Sequence, residues 1–286
     1  MDSGWSLTDS KAQKLIAKLK TKGKPLGEYV NGKIFYGIKT GLNEAFVIDE
    51  ETRNSLIEED PRSSEIIKPF LSGRDIKKYK TLPIKKYLIL FKSGDTKNWF
   101  GQELTEGQAK ELMIKKYPSI MNFLLKFEEK AKARSDKGNF WWELRACDYY
   151  DEFEKEKIAW PETSLDNQFS MVEKGSILNK TAFIIPVDDK SLLAQLNSSI
   201  ARFYFDSVVS KMRGGYFSMS KAYVETFPIV DNTNEKLNQK VTEITALKKD
   251  GMKADTNSLE QDIDQMVYEL YELTEEEIKI VEGGVG

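Results

Sequence analysis

SLLAQLNSSIARFYFDSVVSKMRGGYFSMSK, residues 191–221, passes from a helical pattern straight into a glycine-centred loop. Leu192, Leu193, Leu196, Ile200, Phe203 and Tyr204 share one helical face, which predicts a single amphipathic helix from Ser191 to Val209. Gly214 and Gly215 then open positive φ and close backbone approach. Arg213–Lys221 is therefore predicted as a loop or hairpin held between that helix and the proline-stopped segment Phe227-Pro228-Ile229. Lys211, Arg213 and Lys221 supply cations, Tyr216 and Phe217 flat faces, and Ser218 and Ser220 hydroxyls. Such a set suits phosphate oxygens and base edges. It suits equally a solvated hairpin whose aromatics tuck into the core.

Working outward, the rest of the chain mixes short strands with helices. Ile34–Tyr36 and Ala45–Ile48 read as two strands joined by GIKTGLN (37–43), whose glycines, Thr40 and Asn43 are turn chemistry. Lys39, Thr40 and Asn43 either face a ligand from that turn or simply close it. Asp49–Ile57 and Ser63–Phe70 read as short helices, and LSGRD (71–75) as a turn in which Arg74 reaches a phosphate or pairs with a carboxylate. Tyr87–Phe91 is an unbroken apolar run, the mark of a buried strand. Lys92 leaves it in a further turn. Thr105 and Gln108 form a capping box, and Tyr117-Pro118 breaks and restarts the helix that follows. Ile120, Phe123, Leu124, Phe127 and Ala131 continue one apolar face to about Arg134.

RSDKGNFWWELR, residues 134–145, is a second polar–aromatic stretch. Arg134, Lys137 and Arg145 flank Trp141 and Trp142. Tandem tryptophans are costly to expose, so one is expected inside and the other over a groove. Lys157–Trp160, Phe169–Val172 and Ala182–Ile185 read as strands. Before all of these, Ala12, Leu15, Ile16 and Leu19 mark a helix over Thr8–Lys20, capped by Thr8 or Asp9, with Trp5 unexplained ahead of it. After them, Leu237, Val241, Ile244 and Leu247, then Ile263, Met266, Val267 and Leu270, form the seam of two helices separated by a break at 251–257. Ser258-Leu259-Glu260-Gln261 reads as a capping box for the second, and Thr274 caps a last short helix. The expected class is α+β: a mixed or antiparallel sheet body with packed helices and a C-terminal antiparallel helical pair.

Composition narrows the chemistry. The chain has no histidine and one cysteine, Cys147. That removes His-based acid–base and nucleophilic catalysis, His or thiolate metal sites, and an internal disulfide. No apolar run is long enough to cross a membrane and no secretory pattern opens the chain, so a reducing cytoplasm is the expected setting. The net charge of −3 conceals an asymmetry: residues 231–286 hold 14 acids and 6 bases, whereas residues 1–230 hold 32 acids and 37 bases. A mildly basic body beside an acidic tail is compatible with nucleic-acid binding by the body. Dinucleotide and phosphate-loop glycine motifs and a nucleophile elbow are absent from the sequence. The Glu128–Lys130 and Glu277–Lys279 triplets fall in amphipathic helices and read as solvated faces.

Several of these stretches, taken in order, resemble a known family. GKIFYGIKTGLNEAFVID (32–49), EIIKPFLSGRDIKKY (65–79), WWELR (141–145), KIAWPE (157–162), LLAQLNSSIARFYF (192–205), YVETFPI (223–229) and LEQDIDQMVYELYELTEEEIKIVEG (259–283) are similar to the TaqI-like C-terminal specificity domain. The resemblance runs over roughly residues 5 to 283. It implies the target-recognition part of adenine-N6 DNA methyltransferases and type IIG restriction–modification polypeptides. In those enzymes a separate domain binds S-adenosylmethionine and flips the adenine with an Asn/Asp-Pro-Pro-Tyr/Phe motif, which this sequence lacks.

The expectation is thus a bacterial, cytoplasmic, monomeric module that reads double-stranded DNA and performs no catalysis alone. It is joined to or associated with a methyltransferase domain. S-adenosylmethionine and magnesium serve only the parent's other domains, and no cofactor or metal is expected in this fragment. Residues 1–22 are read as a linker helix from an upstream catalytic domain, 23–230 as the recognition body and 231–286 as the helical tail. On chemical grounds Arg134, Arg145 and Arg213 are candidates for guanine edges. Lys39, Lys92, Lys137, Lys211 and Lys221 are candidates for phosphates. Arg74, Thr40, Asn43, Trp141, Gly214, Gly215, Tyr216, Ser218 and Ser220 complete the candidate set. The alternatives are the recognition half of a type I specificity subunit, disfavoured by the single body, and a protein-interaction scaffold docking through its acidic tail.

Overall fold

In the computed structural model, residues 3–231, 234–250 and 255–283 are described; side chains of residues 3–9 and 250 fall outside that description, and with them Trp5 and the Thr8 or Asp9 cap. The fold is α+β. Its centre is an antiparallel four-stranded sheet in the order Ser170–Val172, Lys157–Pro161, Ala182–Ile185, Phe35–Tyr36. The two middle strands are buried on both faces, which is why KIAWP and AFII read as continuous runs and not as alternation. Ile158, Trp160, Phe183 and Ile185 point into one core; Ala159, Ala182 and Ile184 point into another.

The first core belongs to the helices. Leu192, Leu196, Ile200 and Tyr204 meet Leu15 and Leu19 of the N-terminal helix Ser3–Lys22, and Leu237, Val241, Ile263 and Val267 of the tail. Helices Glu235–Asp250 and Asn257–Leu270 pair antiparallel: Lys248–Glu260 and Lys240–Asp262, each 2.7 Å, step away from their connection together. The last helix, Glu275–Gly283, returns to the first. Lys18 reaches Glu277 at 2.6 Å, and Lys22 pairs with Glu272. The tail's apolar faces are therefore spent on the body.

The second core is covered by a mixed sheet, Ile177–Leu178 parallel to Ile67–Leu71, then Lys86–Ile89 and Val47–Asp49 antiparallel. Helices Glu106–Lys116 and Pro118–Leu125 close it, with the Thr105 capping box and Pro118 at the first helical position as expected.

Four local expectations change. The two strands read over Ile34–Tyr36 and Ala45–Ile48 form as Phe35–Tyr36 and Val47–Asp49, but the link between them is more than a turn, since Asn43–Phe46 is helical, and Val47–Asp49 pairs with Lys86–Ile89 in the other sheet. Only Ser63–Ile66 of the predicted 63–70 helix forms, because Pro69 disfavours helical backbone before it and Ile67–Leu71 becomes a strand. The 191–209 helix is two helices, Lys190–Asn197 and Ser199–Val208. Ser198 is extended and caps the second, while the Asn197 side chain hydrogen-bonds both backbone groups of Phe169 at 2.9–3.0 Å. The cap of Asn257–Leu270 lies at Thr256, two residues before Ser258, and Glu260 accepts from the Thr256 hydroxyl at 2.9 Å.

Candidate nucleic-acid interface

The loops that leave one end of the central sheet hold most of the exposed candidate side chains. Pro161 passes into Glu162, whose N–H donates to Thr181 O (2.9 Å) and whose carbonyl accepts from Met219 N (2.8 Å). Thr163–Ser164 then pairs with Phe217–Ser218. This strap fixes the glycine loop. Phe217 is buried beneath the Arg202 guanidinium, 4.5 Å from its ring centre, so it anchors the loop. Above it Met212 N donates to Tyr216 O (2.7 Å) and Gly215 N to Met212 O (3.1 Å). That tight reversal needs φ of +83° at Gly214 and +79° at Gly215, a region where a side chain is strained. Arg213, Tyr216, Met212 and Lys211 are left exposed, with Lys211 held to Asp206 at 2.9 Å.

The other wall follows strand Phe35–Tyr36. Gly37 N donates to Ala182 O and Ile38 N to Leu178 O. A Cβ at Gly37 would lie 1.9 Å from Asn179 O, so only glycine permits the crossing. The crossing brings Lys39 beside Lys180. Together with Arg145 these two line a cleft of about 550 Å³ that also includes Tyr36, Cys147, Tyr149 and Glu162. Lys39, Lys180, Thr40, Asn43 and Asp136 line a neighbouring cleft of about 480 Å³. Burial pushes the Cys147 thiol above its ordinary pKa; burial, then Cys147, pushes the Tyr149 phenol up to about 12. Both are therefore neutral near pH 7, and the clefts take their charge from Lys39, Arg145, Lys180 and the carboxylates among them.

Not every candidate reaches this surface. Arg134 is 6% exposed and Trp141 0% exposed, so both expectations are corrected. The Arg134 guanidinium donates to the carbonyls of Ala131 (3.2 Å), Thr40 (2.7 Å), Trp141 (2.6 Å) and Glu143 (2.9 Å), and lies 4.5 Å from the Phe46 ring centre. The buried Glu143 carboxylate is its counterpart, accepting from the N–H groups of Gly94, Thr96, Asn139 and Phe140 at 2.8–3.4 Å. Both tryptophans pack inside, and the Trp142 indole donates to Thr96 at 2.9 Å. The groove-covering role expected of one of them is thereby excluded.

Thr40 is buried and bonded to Asn43 at 2.5 Å, so this pair closes its own turn. Lys137 donates to Arg134 O at 3.0 Å, and Lys92 to Asp151 at 3.0 Å. The half-buried Lys221 donates to Ile34 O at 3.2 Å, tying the glycine loop's exit to the strand Phe35–Tyr36. Ser220 caps the turn of helix Lys221–Val224 through its carbonyl, and Ser218 is half-buried in the Thr163–Ser164 pairing. Arg74 is exposed but lines a separate cleft of about 340 Å³ with Lys85 and Lys86.

Sequence reading missed Lys180, Tyr36, Leu165 and Glu162. Tyr36 and Glu162 bear one signal in common, a large or charged side chain at or just past the end of a mostly apolar strand, whereas Leu165 follows the polar pair Thr163–Ser164 and bears none. Lys180 sits in an Asn-Lys-Thr turn between two strands, where a lone lysine carries no signal. Tyr36, Leu165, Met212 and Tyr216 are four of the few large apolar side chains that stay exposed. Among the described residues no group of three or more acidic, Cys or His side chains is placed to hold a metal ion, and no helix is long and apolar enough to span a membrane.

Comparison with known proteins gives this surface its context. The family model of the TaqI-like C-terminal specificity domain matches residues 68–229. The type II methyltransferase M.MjaIV of Methanocaldococcus jannaschii is 26% identical over 257 residues, covering 82% of this chain and 77% of that protein. Among solved structures, the type IIL restriction–modification enzyme MmeI in complex with DNA superposes with a TM-score of 0.58 at 15% identity, covering 87% of this chain. The type IIG restriction endonuclease BpuSI does so with a TM-score of 0.52 at 13% identity, covering 98%. This chain spans 34% of the length of each of those two structures.

Proposed function

The chain belongs to the TaqI-like C-terminal specificity domain family, and from that premise we propose that it reads a double-stranded DNA sequence on behalf of a methyltransferase domain to which it is linked or bound. One observation carries the reading most: exposed Lys39, Arg145 and Lys180 line one cleft at the sheet end, and Glu162 joins that cleft to the strap beneath the Arg213 loop. A DNA duplex presents phosphates to position a protein and base edges to specify it. In this reading Lys39, Lys180, Lys211 and Lys221 neutralise phosphates, Arg145 and Arg213 address guanine O6 and N7, and Tyr216 packs on sugar or base. Lys92 and Lys137 stand at the rim, and Arg74 serves a flanking phosphate from its own cleft.

Chemistry is assigned to other domains. This chain has no histidine and no Asn/Asp-Pro-Pro-Tyr/Phe motif. S-adenosylmethionine would be bound, and the target base flipped, by the methyltransferase domain, and magnesium would serve a nuclease domain where one exists. We assign the parent to the type IIG polypeptides of bacterial cytoplasm and the module itself to the monomeric state.

The test is selection from a random duplex pool by the purified chain across a salt series, with S-adenosylmethionine-dependent methyl transfer assayed in parallel. An enriched motif whose affinity falls with salt, at a logarithmic slope of about −0.9 per phosphate neutralised, supports the reading. No salt-sensitive binding at about 50 mM salt overturns it. Methyl transfer by the chain alone overturns the assignment of catalysis to another domain.

A further inference from the structure

The cleft between the two recognition walls is not uniformly basic. Glu162 is exposed there beside Lys39, Arg145 and Lys180. Its backbone is fixed on both sides, by Thr181 O on its N–H and by Met219 N on its carbonyl. Its side chain therefore leaves a rigid strand end and not a mobile loop. The ion pairs nearest to it in sequence are Arg202–Asp166 and Lys155–Glu152, and among the described residues no ion pair includes Glu162. A free carboxylate beside DNA repels every phosphate it approaches, so it lowers sequence-independent affinity. It gains only where a base edge donates. In the major groove the cytosine N4 amine is the donor that carboxylates address, while guanine and thymine offer acceptors at the equivalent positions.

We propose that Glu162 is a specificity-determining residue that accepts from the N4 amine of cytosine in one C·G pair, with Lys39 neutralising the adjoining backbone. The inference rests on the DNA-reading function proposed above. It assigns to a single acidic position both a base preference and a penalty on binding other sequences.

The experiment compares the unaltered chain, Glu162→Gln and Asp148→Asn in the same duplex selection. Asp148 is the other exposed carboxylate of the cleft and serves as the change of charge alone. Glu162→Gln is expected to relax one C·G position by about tenfold, leave the other positions intact, and raise affinity for unselected DNA. Asp148→Asn is expected to raise affinity for all DNA without altering the motif. In the selected site, replacing that cytosine by a pyrimidinone nucleotide lacking the N4 amine should weaken the unaltered chain about tenfold and leave Glu162→Gln unchanged. An unchanged motif with Glu162→Gln overturns the assignment of Glu162 alone. An equal loss of affinity for every sequence makes Glu162 structural and also overturns it. Failure of the unaltered chain to enrich any motif overturns the DNA-reading function itself, and this inference with it.

Discussion

Arg134 and Arg213 begin stretches of similar chemistry, an arginine followed within a few residues by lysine, glycine, small polar residues and aromatics, yet their guanidinium groups end in opposite surroundings. Arg134 spends its N–H groups on four backbone carbonyls and lies over Phe46. Arg213 is exposed on a loop turned by Gly214 and Gly215. The difference originates in what lies opposite. Around Arg134 the carbonyls of Thr40, Trp141 and Glu143, outside regular elements, and that of Ala131, at a helix end, converge from three segments of the chain, and a charged donor answers them at close range. Glu143 does the same for the N–H groups of Gly94, Thr96, Asn139 and Phe140. Around Arg213 the backbone is already satisfied by the Met212–Tyr216 closure and by strand pairing, so the side chain is left for something outside.

The strongest test of that contrast is to remove the inner arginine. Arg134→Met should cost about 3–5 kcal/mol of unfolding free energy, because it leaves the carbonyls of Ala131, Thr40, Trp141 and Glu143 without their charged donor, at roughly 1–3 kcal/mol for each buried group left unpaired. Arg134→Lys should cost less than the methionine variant but still destabilise, since an ammonium keeps the charge and cannot reproduce the planar fork. Denaturant unfolding gives both values. A loss below about 1 kcal/mol for the methionine variant would show that the four hydrogen bonds add little beyond packing.

Half-buried groups should give intermediate effects, and Glu260 offers a pH-dependent case. Burial pushes its carboxyl up, but Lys78 and Lys248, at 2.8 and 2.7 Å, outweigh burial and hold it at about 2. A carboxyl depressed on folding stabilises fully above its unfolded pKa of about 4.5 and loses that contribution as pH falls toward about 2. The expected loss is at most ~3 kcal/mol across that window, and Glu260→Gln should flatten it. Denaturation midpoints of the two chains measured between pH 5 and 2 check the sign. Curves that stay parallel would remove Glu260 as the link between the tail and the hairpin at Ile76–Thr81.

Much of this architecture was legible in advance. Lys157–Trp160 and Ala182–Ile185 read as strands, Tyr87–Phe91 as a buried strand, and Pro118 and the Thr105 box mark helix ends. What escaped had physical causes. Sequence shows no pairing partner, so it does not reveal that Phe35–Tyr36 and Val47–Asp49, consecutive in the chain, lie in different sheets. The LNSS segment looked like uninterrupted helix, although Asn197 and Ser198 are side chains that compete for backbone groups. For the site, charge and aromatics identified both polar stretches, but the same composition serves a buried network and an exposed loop. Only the carbonyls facing Arg134, supplied by residues as distant as Thr40, separate the two.

On the outer stretch the sign of the effect should reverse, with binding changed and the fold untouched. Arg213→Ala and Arg145→Ala should each weaken the selected site by about 1–3 kcal/mol and relax one position, with unfolding free energy moved by less than about 0.5 kcal/mol. Competition binding against point-substituted sites separates the two arginines. If either variant unfolds as readily as Arg134→Met, the inner–outer contrast fails at that residue.

The smallest effect belongs to Lys211, which sharpens the contrast within the outer loop itself. It is exposed, paired with Asp206 at 2.9 Å, and lies 6.0 Å from the Phe217 ring centre. A surface pair of this kind contributes roughly 0–1 kcal/mol to stability. Bound to DNA, however, one neutralised phosphate is worth about 0.9 in the logarithmic salt slope, whatever the sequence. Lys211→Gln should therefore lower the slope by about one while leaving the selected motif and the unfolding curve as they were. A change of motif would mean that Lys211 reads a base. An unchanged slope would mean that Asp206 keeps it from the duplex, leaving Arg213 as the cation that the glycine pair was built to present.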